Sequence, residues 1–233
     1  MTAKQAPTTV PGQHRQVLVA LLAMTAGATD AVTFLGLGGV FASVMTANMV
    51  LLGLSAAERS GSLAAHSATA FAGYVAGALA ASHFVDRDAP PGSGQPRPLS
   101  AVLAAEFVVL AGFTAGWEWT AGRPGGAAQL ALLGTAALAM GGQSVAVIAM
   151  RMPGVSATYM TGMLTGILGD LATAGRAGVG YRLALLGMLV AGAIASGLAF
   201  SQEPRLVPIV FLCPLAGAIA LARLRPPIAT TRI

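Results

Sequence analysis

The chain has 233 residues, of which 55% are hydrophobic and only 9% charged, with mean hydropathy +0.75. Soluble domains carry about 25% charged residues, so an ordinary water-soluble domain is excluded. The 13 Lys and Arg outnumber the 8 Asp and Glu, but they stand singly between long apolar runs, without the clustered patch and interleaved aromatics of a nucleic-acid surface. Runs of this kind suit a hydrocarbon core about 30 Å thick, and the basic residues between them read as topology signals.

Taken in order, residues 1–16 form a polar tail expected in the cytoplasm. The first apolar run goes from Val17 to Leu37. A cleaved signal peptide is the competing reading, and it is rejected because Gly27 onward has a counterpart deep in the chain. Gly38-Gly39 breaks the helix, and a second run reaches from Val40 to Ala57, ahead of a polar turn at Glu58–Gly61. The third run, Leu63–Phe84, carries Gly73-x-x-x-Gly77 and Ala81 at helical spacing, a face that lets another helix approach closely. Residues 85–98 are a Pro-, Gly- and charge-rich linker. The fourth run spans Leu99–Trp117, with Glu118, Trp119 and Arg123 as interfacial anchors.

Four further runs follow. They are Gln129–Met150, Val155–Thr173 after a break at Arg151–Gly154, Leu183–Phe200, and Leu206–Ala222 after the short connector Ser201–Arg205. Cys213 lies in the last run and has no partner for an internal disulfide.

The second set repeats the first. At an offset of 115 residues, Gly27–Thr46 lies without a gap on Gly142–Thr161 with eight of twenty positions identical, and Val75–Ala80 lies on Val190–Ala195. Leu110-Ala-Gly112 matches Leu215-Ala-Gly217 at an offset of 105, as a shorter linker requires. The expected organisation is an all-α polytopic bundle of six to eight transmembrane segments. It divides into the tail 1–16, a first membrane repeat 17–126, a second 127–225 and a polar tail 226–233.

If the second and sixth runs cross fully, the repeats are parallel; if they are short or re-entrant, the second repeat is inverted. With the amino terminus inside, eight spans put nine basic residues inside and four outside, and six spans put ten and three, so charge accepts both. Length leans to eight, because Val40–Ala57 offers about 27 Å free of charge.

Asp30 is the sharpest candidate. It lies far inside the first run, where an acid costs about 2.5–3.5 kcal/mol and needs a partner, a proton or water. Its helix face carries Ala23, Ala26, Gly27 and Thr33. It reads either as an ion- or proton-binding carboxylate or as an acid that fixes helix register. In the duplicate, Val145 stands opposite Asp30, Met163 opposite Asn48 and Ala28 opposite Gln143, which points to one shared, asymmetric site. Gln143 and Ser144 lie at nearly the same depth on the fifth run as Asp30 on the first.

Ser43, Thr46 and Asn48, with Thr161 and Thr165, lie just inside the second and sixth runs. Helices starting after Gly38-Gly39 and Pro153-Gly154 expose free N–H groups and a positive dipole end that favours an anion. At mid-membrane those starts make a site; at the surface they are hairpin turns. Glu106 is a secondary membrane acid, expected to pair with His66 or Arg59. Asp170 reads as a solvated interfacial charge. No His or Cys stands at ligand spacing, so no metal is expected.

Enzyme readings are weak. Gly154-Val-Ser156 lacks a nearby histidine, Leu168-Gly169-Asp170 lacks the preceding glycine of aspartyl intramembrane proteases, and there is no phosphate loop or dinucleotide fingerprint. Catalysis and cofactors are not expected.

The Leu35–Phe41 glycine run, Met45-Thr-x-Asn48, Ala139-Met-Gly-x-Gln143 and Thr158–Gly162 resemble the YoaK-like family of uncharacterised bacterial integral membrane proteins. Ala47 and Ser144 depart from that family's usual glycine and asparagine. The resemblance implies about six spans in the bacterial inner membrane and no established substrate. The functional expectation is a small-molecule or ion permease between two repeats. Its partners would be the lipid bilayer and a small molecule or ion, protons included, with no nucleic acid and with self-association open. The alternative is a non-transporting assembly or regulatory protein.

Overall fold

The computed structural model describes residues 12–85, 97–150, 152, 160–173 and 178–223. The tail 1–11, most of the linker, the break at Arg151 and 153–159 with Val155, the loop at Arg176, and the end from 224 onward lie outside the described residues. Within them the chain is α1 (Gln13–Gly36), α2 (Met45–Ala57), α3 (Gly61–Phe84), α4 (Arg97–Trp119), α5 (Gly126–Ala149), α6 (Met160–Ala172), α7 (Val179–Gln202) and α8 (Val207–Arg223), with a 3-10 turn at Pro204–Leu206 and no strand.

Six of these helices, all but α2 and α6, are long and apolar enough to cross a membrane. The chain is a multi-pass membrane protein. Large apolar side chains such as Leu79, Val108 and Ile148 are exposed on its outside, as lipid contact requires. The centre is built by α1 and α5, whose spans are mostly buried.

The half-length elements correct the length estimate that leaned to eight spans. α2 and α6 have 13 residues each, about 20 Å of helix. The apolar run at Val40 does not become helix until Met45, because Val40–Val44 are non-helical chain held by side chains. Apolar length alone overcounts when part of a run is not wound at 1.5 Å per residue.

Contacts along the helices give their directions. Gln143 Nε2 donates to Leu22 O and Gln129 Nε2 to Gly36 O, so α1 and α5 are antiparallel. Tyr181 Oη donates to Gln16 O near one end, while Phe200 lies against Gly36 at the other, so α7 runs parallel to α1. His66 meets Gln129, and Gly73 meets Gly134 and Ala137, so α3 runs parallel to α5. Thr25 bonds Phe211 O while Gly217 lies against Leu21, so α8 opposes α1. Gly116 lies against Leu132 on α4 and α5, and Phe113 and Trp117 of α4 meet Phe211 and Pro204, so α4 opposes both α5 and α8.

Thus α1, α4 and α7 run one way and α3, α5 and α8 the other. Because α1 ends and α3 begins on one face, residues 37–60 leave and return on the same side. Ser43 is bonded to Asp30, six residues before the end of α1, so the backbone leading into α2 lies about 9 Å inside that face.

Close packing at mid-span depends on glycine. A Cβ on Gly27 would overlap Leu189 O and one on Gly192 would overlap Met24 O; likewise Gly141 meets Tyr74 O and Gly77 meets Leu138 O. The α1/α7 and α3/α5 interfaces are thus the same contact made twice. Their residues correspond at an offset of 114 between α1 and α5 and 115 between α3 and α7. In these contacts the α1 offset is one less than that of the gap-free alignment, so Asp30 stands at the helix position of Ser144 where the alignment sets it opposite Val145. Burial agrees: exposed Phe34 matches exposed Ile148, and buried Thr33 matches buried Val147.

Candidate functional site

The first helix ends at Gly36, and Gly38 and Gly39 follow with φ of 93° and 73°. These left-handed positions suit glycine and turn the chain back into the protein. A Cβ on Gly38 would also collide with the His66 ring. The returning segment has no helical hydrogen bonds of its own, and in hydrocarbon each unpaired backbone group costs several kcal/mol.

Two side chains supply the missing partners. Asp30 Oδ1 accepts from Ser43 N at 2.7 Å, and Oδ2 accepts from Ser43 Oγ at 2.5 Å. Asn48 Oδ1 accepts from Phe41 N at 3.0 Å, and Nδ2 donates to Phe41 O at 2.5 Å. Asp30 is 7% and Asn48 1% exposed. The buried acid has found its partner, and that partner is the backbone that positions α2.

Beside this anchor lies a cavity of about 760 Å³. Its walls include Gly27, Asp30 and Phe34 of α1, Ser43, Met45 and Thr46 at the start of α2, Tyr74 of α3, Met160 and Thr161 at the start of α6, and Leu189 of α7. The first turn of α2 and the first described residues of α6, Met160 and Thr161, thus meet the same space, and the start of α2 offers N–H groups with no intrahelical acceptor. The wall is mainly apolar with a few hydroxyls and one carboxylate, the usual make-up of a small-molecule pocket.

Of the expected site residues, Asp30, Ser43, Thr46 and Thr161 are brought together here. Asn48 serves from one turn away. Thr33 is buried with its hydroxyl on Asp30 O, and exposed Thr165 bonds Thr161 O; neither lines the cavity. Gln143 and Ser144 do not line it either: Gln143 holds Leu22 O, and Ser144 bonds Met140 O within its own helix. Equal depth for Asp30 and Gln143 assumed helices running the same way. In the antiparallel pair Gln143 is level with Leu22, eight residues and about 12 Å along α1 from Asp30.

Other expectations are corrected too. Glu106, 3% exposed, pairs with neither His66 nor Arg59: neither of its carboxylate oxygens has a hydrogen-bond partner among the described residues, and His66 instead meets Ser62 O and Gln129 Oε1. Asp170 is not merely solvated but forms an ion pair with Arg182 of α7. No group of three or more His, Cys, Asp or Glu suited to a metal occurs among the described residues. Tyr74 and Leu189 were not expected; the signal lay in Val75–Ala80 matching Val190–Ala195, which puts them at equivalent positions just before those segments.

A family model described as "Protein of unknown function (DUF1275)" matches residues 18–222. The UPF0700 transmembrane protein YoaK of Bacillus subtilis (strain 168) is 31% identical over 158 residues, 68% of each chain. No solved structure matches.

Proposed function

We propose that this chain, which belongs to the DUF1275 family of proteins of unknown function, is a small-molecule or ion permease of the bacterial inner membrane built from two inverted repeats, 17–126 and 127–225. One observation carries the reading. The start of the half-length helix α2, at Met45 and Thr46, and the first described residues of α6, Met160 and Thr161, line one cavity among helices long enough to span the membrane. Irregular backbone is tolerated at that depth only where it is buried in protein or lines a cavity, and discontinuous helices at a repeat interface are how many secondary transporters form a mid-membrane site.

The direction of every long helix supports inversion, and so does the doubled glycine contact. The cavity's α1 wall begins at Gly27, the level of that contact, and continues toward Phe34. It therefore occupies one side of the midplane, as expected of one state in an alternating-access cycle. Helix starts favour an anionic or dipolar solute group, with Thr46 and Thr161 as hydroxyl contacts and the apolar wall taking its remainder. Asp30 couples this space to the re-entrant backbone: gain or loss of a proton changes what Ser43 can bond, which makes proton coupling available. Among the described residues Arg59, Arg123 and Arg205 flank one face and Arg15, Arg97, Arg182 and Arg223 the other, a balance that supports a cytoplasmic amino terminus.

The test is solute flux in proteoliposomes carrying a pH-sensitive dye, driven by gradients of small organic and inorganic anions. Flux of at least one solute is expected, falling at least tenfold in Thr46→Trp or Thr161→Trp, which fill the cavity from exposed positions. In Asp30→Asn the flux is expected to lose its response to pH. Absence of flux for every solute from folded protein would support the assembly or regulatory alternative.

A further inference from the structure

A second cavity, of about 240 Å³, lies away from the first, between α3, α4 and α5. Its walls include Gly77 and Ala81 of α3, Val102 and Val109 of α4, and Leu138 and Gly142 of α5. Glu106 is its single ionisable lining residue. Both carboxylate oxygens are buried without a hydrogen-bond partner among the described residues. Leaving a buried acid unpaired is expensive, so such a group calls for an explanation in a ligand or in architecture.

Architecture does not supply one. At the offset that matches Leu110 with Leu215, Glu106 corresponds to Phe211. Phe211 is fully buried and packs edge-on against Phe113 with centroids 5.6 Å apart. The same helix position is therefore filled by an aromatic ring in one half and left as an acid beside a void in the other.

We propose that this second cavity is a binding site for a small lipophilic primary amine, whose nitrogen meets Glu106 while its hydrocarbon lies along α3, α4 and α5. An ammonium supplies up to three donors to an acceptor pair that has none, and a charge-assisted bond of this kind is among the stronger ones. A bare inorganic cation fits poorly, because it wants six or more oxygens where the walls offer one carboxyl. A lipid amino headgroup fits poorly as well, since Glu106 lies nine residues into α4, about 13 Å along the helix, and no basic side chain lines the cavity among the described residues to take its phosphate. The volume holds about eight water-sized atoms. Exposed Ala80, Ala101 and Ala105 border it on the outside, which opens it toward hydrocarbon.

The experiment is calorimetric titration of the full chain in phosphatidylcholine nanodiscs with n-pentylamine, and with n-pentanol as the matched neutral probe. Saturable amine binding at least tenfold tighter than alcohol is expected, with at least a tenfold loss in Glu106→Gln. Glu106→Phe, which installs the residue α8 already carries, is expected to abolish binding and keep or raise the unfolding temperature. Should the Gln variant fail to fold, Ala101→Leu narrows the cavity from an exposed position and is expected to weaken amine binding. Thr46→Trp is expected to leave amine binding unchanged, which separates this site from the central one. Equal affinity for amine and alcohol, no saturable amine binding, unchanged binding in Glu106→Phe, or loss of binding in Thr46→Trp would each overturn the proposal.

Discussion

Asp30 and Asn48 stand out as polar residues inside an apolar run, and both do the same kind of work: they satisfy backbone that cannot satisfy itself. Sequence could identify Asp30 as a residue requiring a partner, because burial energetics alone demand it, but not that the partner is thirteen positions away on a returning chain. Losing one partner of a buried hydrogen bond costs about 1–3 kcal/mol. Asn48→Ala orphans both Phe41 N and Phe41 O and is expected to lower stability by about 2–4 kcal/mol. Ser43→Ala removes only the hydroxyl bond and is expected to cost about 1–3 kcal/mol. Thermal unfolding in detergent reads both, and an unchanged Asn48→Ala midpoint would remove the anchoring role. Gln143 teaches the opposite lesson. Its type and depth suggested a site, yet its amide nitrogen is engaged across the α1/α5 contact, while its Oε1 is buried without a hydrogen-bond partner among the described residues.

At the scale of the element, the decisive feature is what a helix surface lets its neighbour do. Gly192 and Gly187 lie in the same helix, five residues apart, with no difference in type to separate them. Gly192 faces Met24 O and Ala28 N, whereas a Cβ on Gly187 meets nothing within 4 Å. Gly192→Ala is therefore expected to destabilise by about 1–3 kcal/mol through overpacking. Gly187→Ala should be neutral or stabilise by up to about 1 kcal/mol, since alanine is the better helix former. Gly77→Ala and Gly141→Ala belong with Gly192→Ala, because the contact occurs twice. If all four variants unfold at one temperature, close helix approach is not what holds these pairs. The G-x-x-x-G spacing of α3 was legible in the sequence, but the reciprocal spacing on α1 and α5 was not, for it emerges only once Gly27 and Gly141 are paired with carbonyls of other helices.

For the whole molecule, the count of crossings and their directions set everything else. Six long helices, with residues 37–60 returning to the face they left, make Ser60, Gly125 and Gln202 neighbours of one aqueous side, while His14 and Gly178 belong to the other. Single cysteines at these positions in a Cys213→Ser background are expected to react with an impermeant thiol reagent in those two groups. An eight-span arrangement would instead put position 60 with position 14, and that pattern would overturn the inverted architecture. The antiparallel course of α1 and α5 explains the misplacement of Gln143: residues equally far along two opposed helices lie at different levels, so similar position in sequence is not proximity in space.

Composition and periodicity determined by themselves that this is a polytopic helical membrane protein, because burial of so many apolar residues with so few charges has no other stable solvent. They also revealed the doubled segments, the glycine breaks and the costly acids, all of which are local properties of the chain. Only the tertiary structure decided that α2 stops at half length, that its start shares one cavity with Met160 and Thr161 of α6, that Asp30 is answered by Ser43, and that Glu106 is answered by nothing among the described residues. Those outcomes depend on which backbone groups meet across distant segments, and in a low-dielectric interior it is that pairing, not the residue's identity, that sets its role.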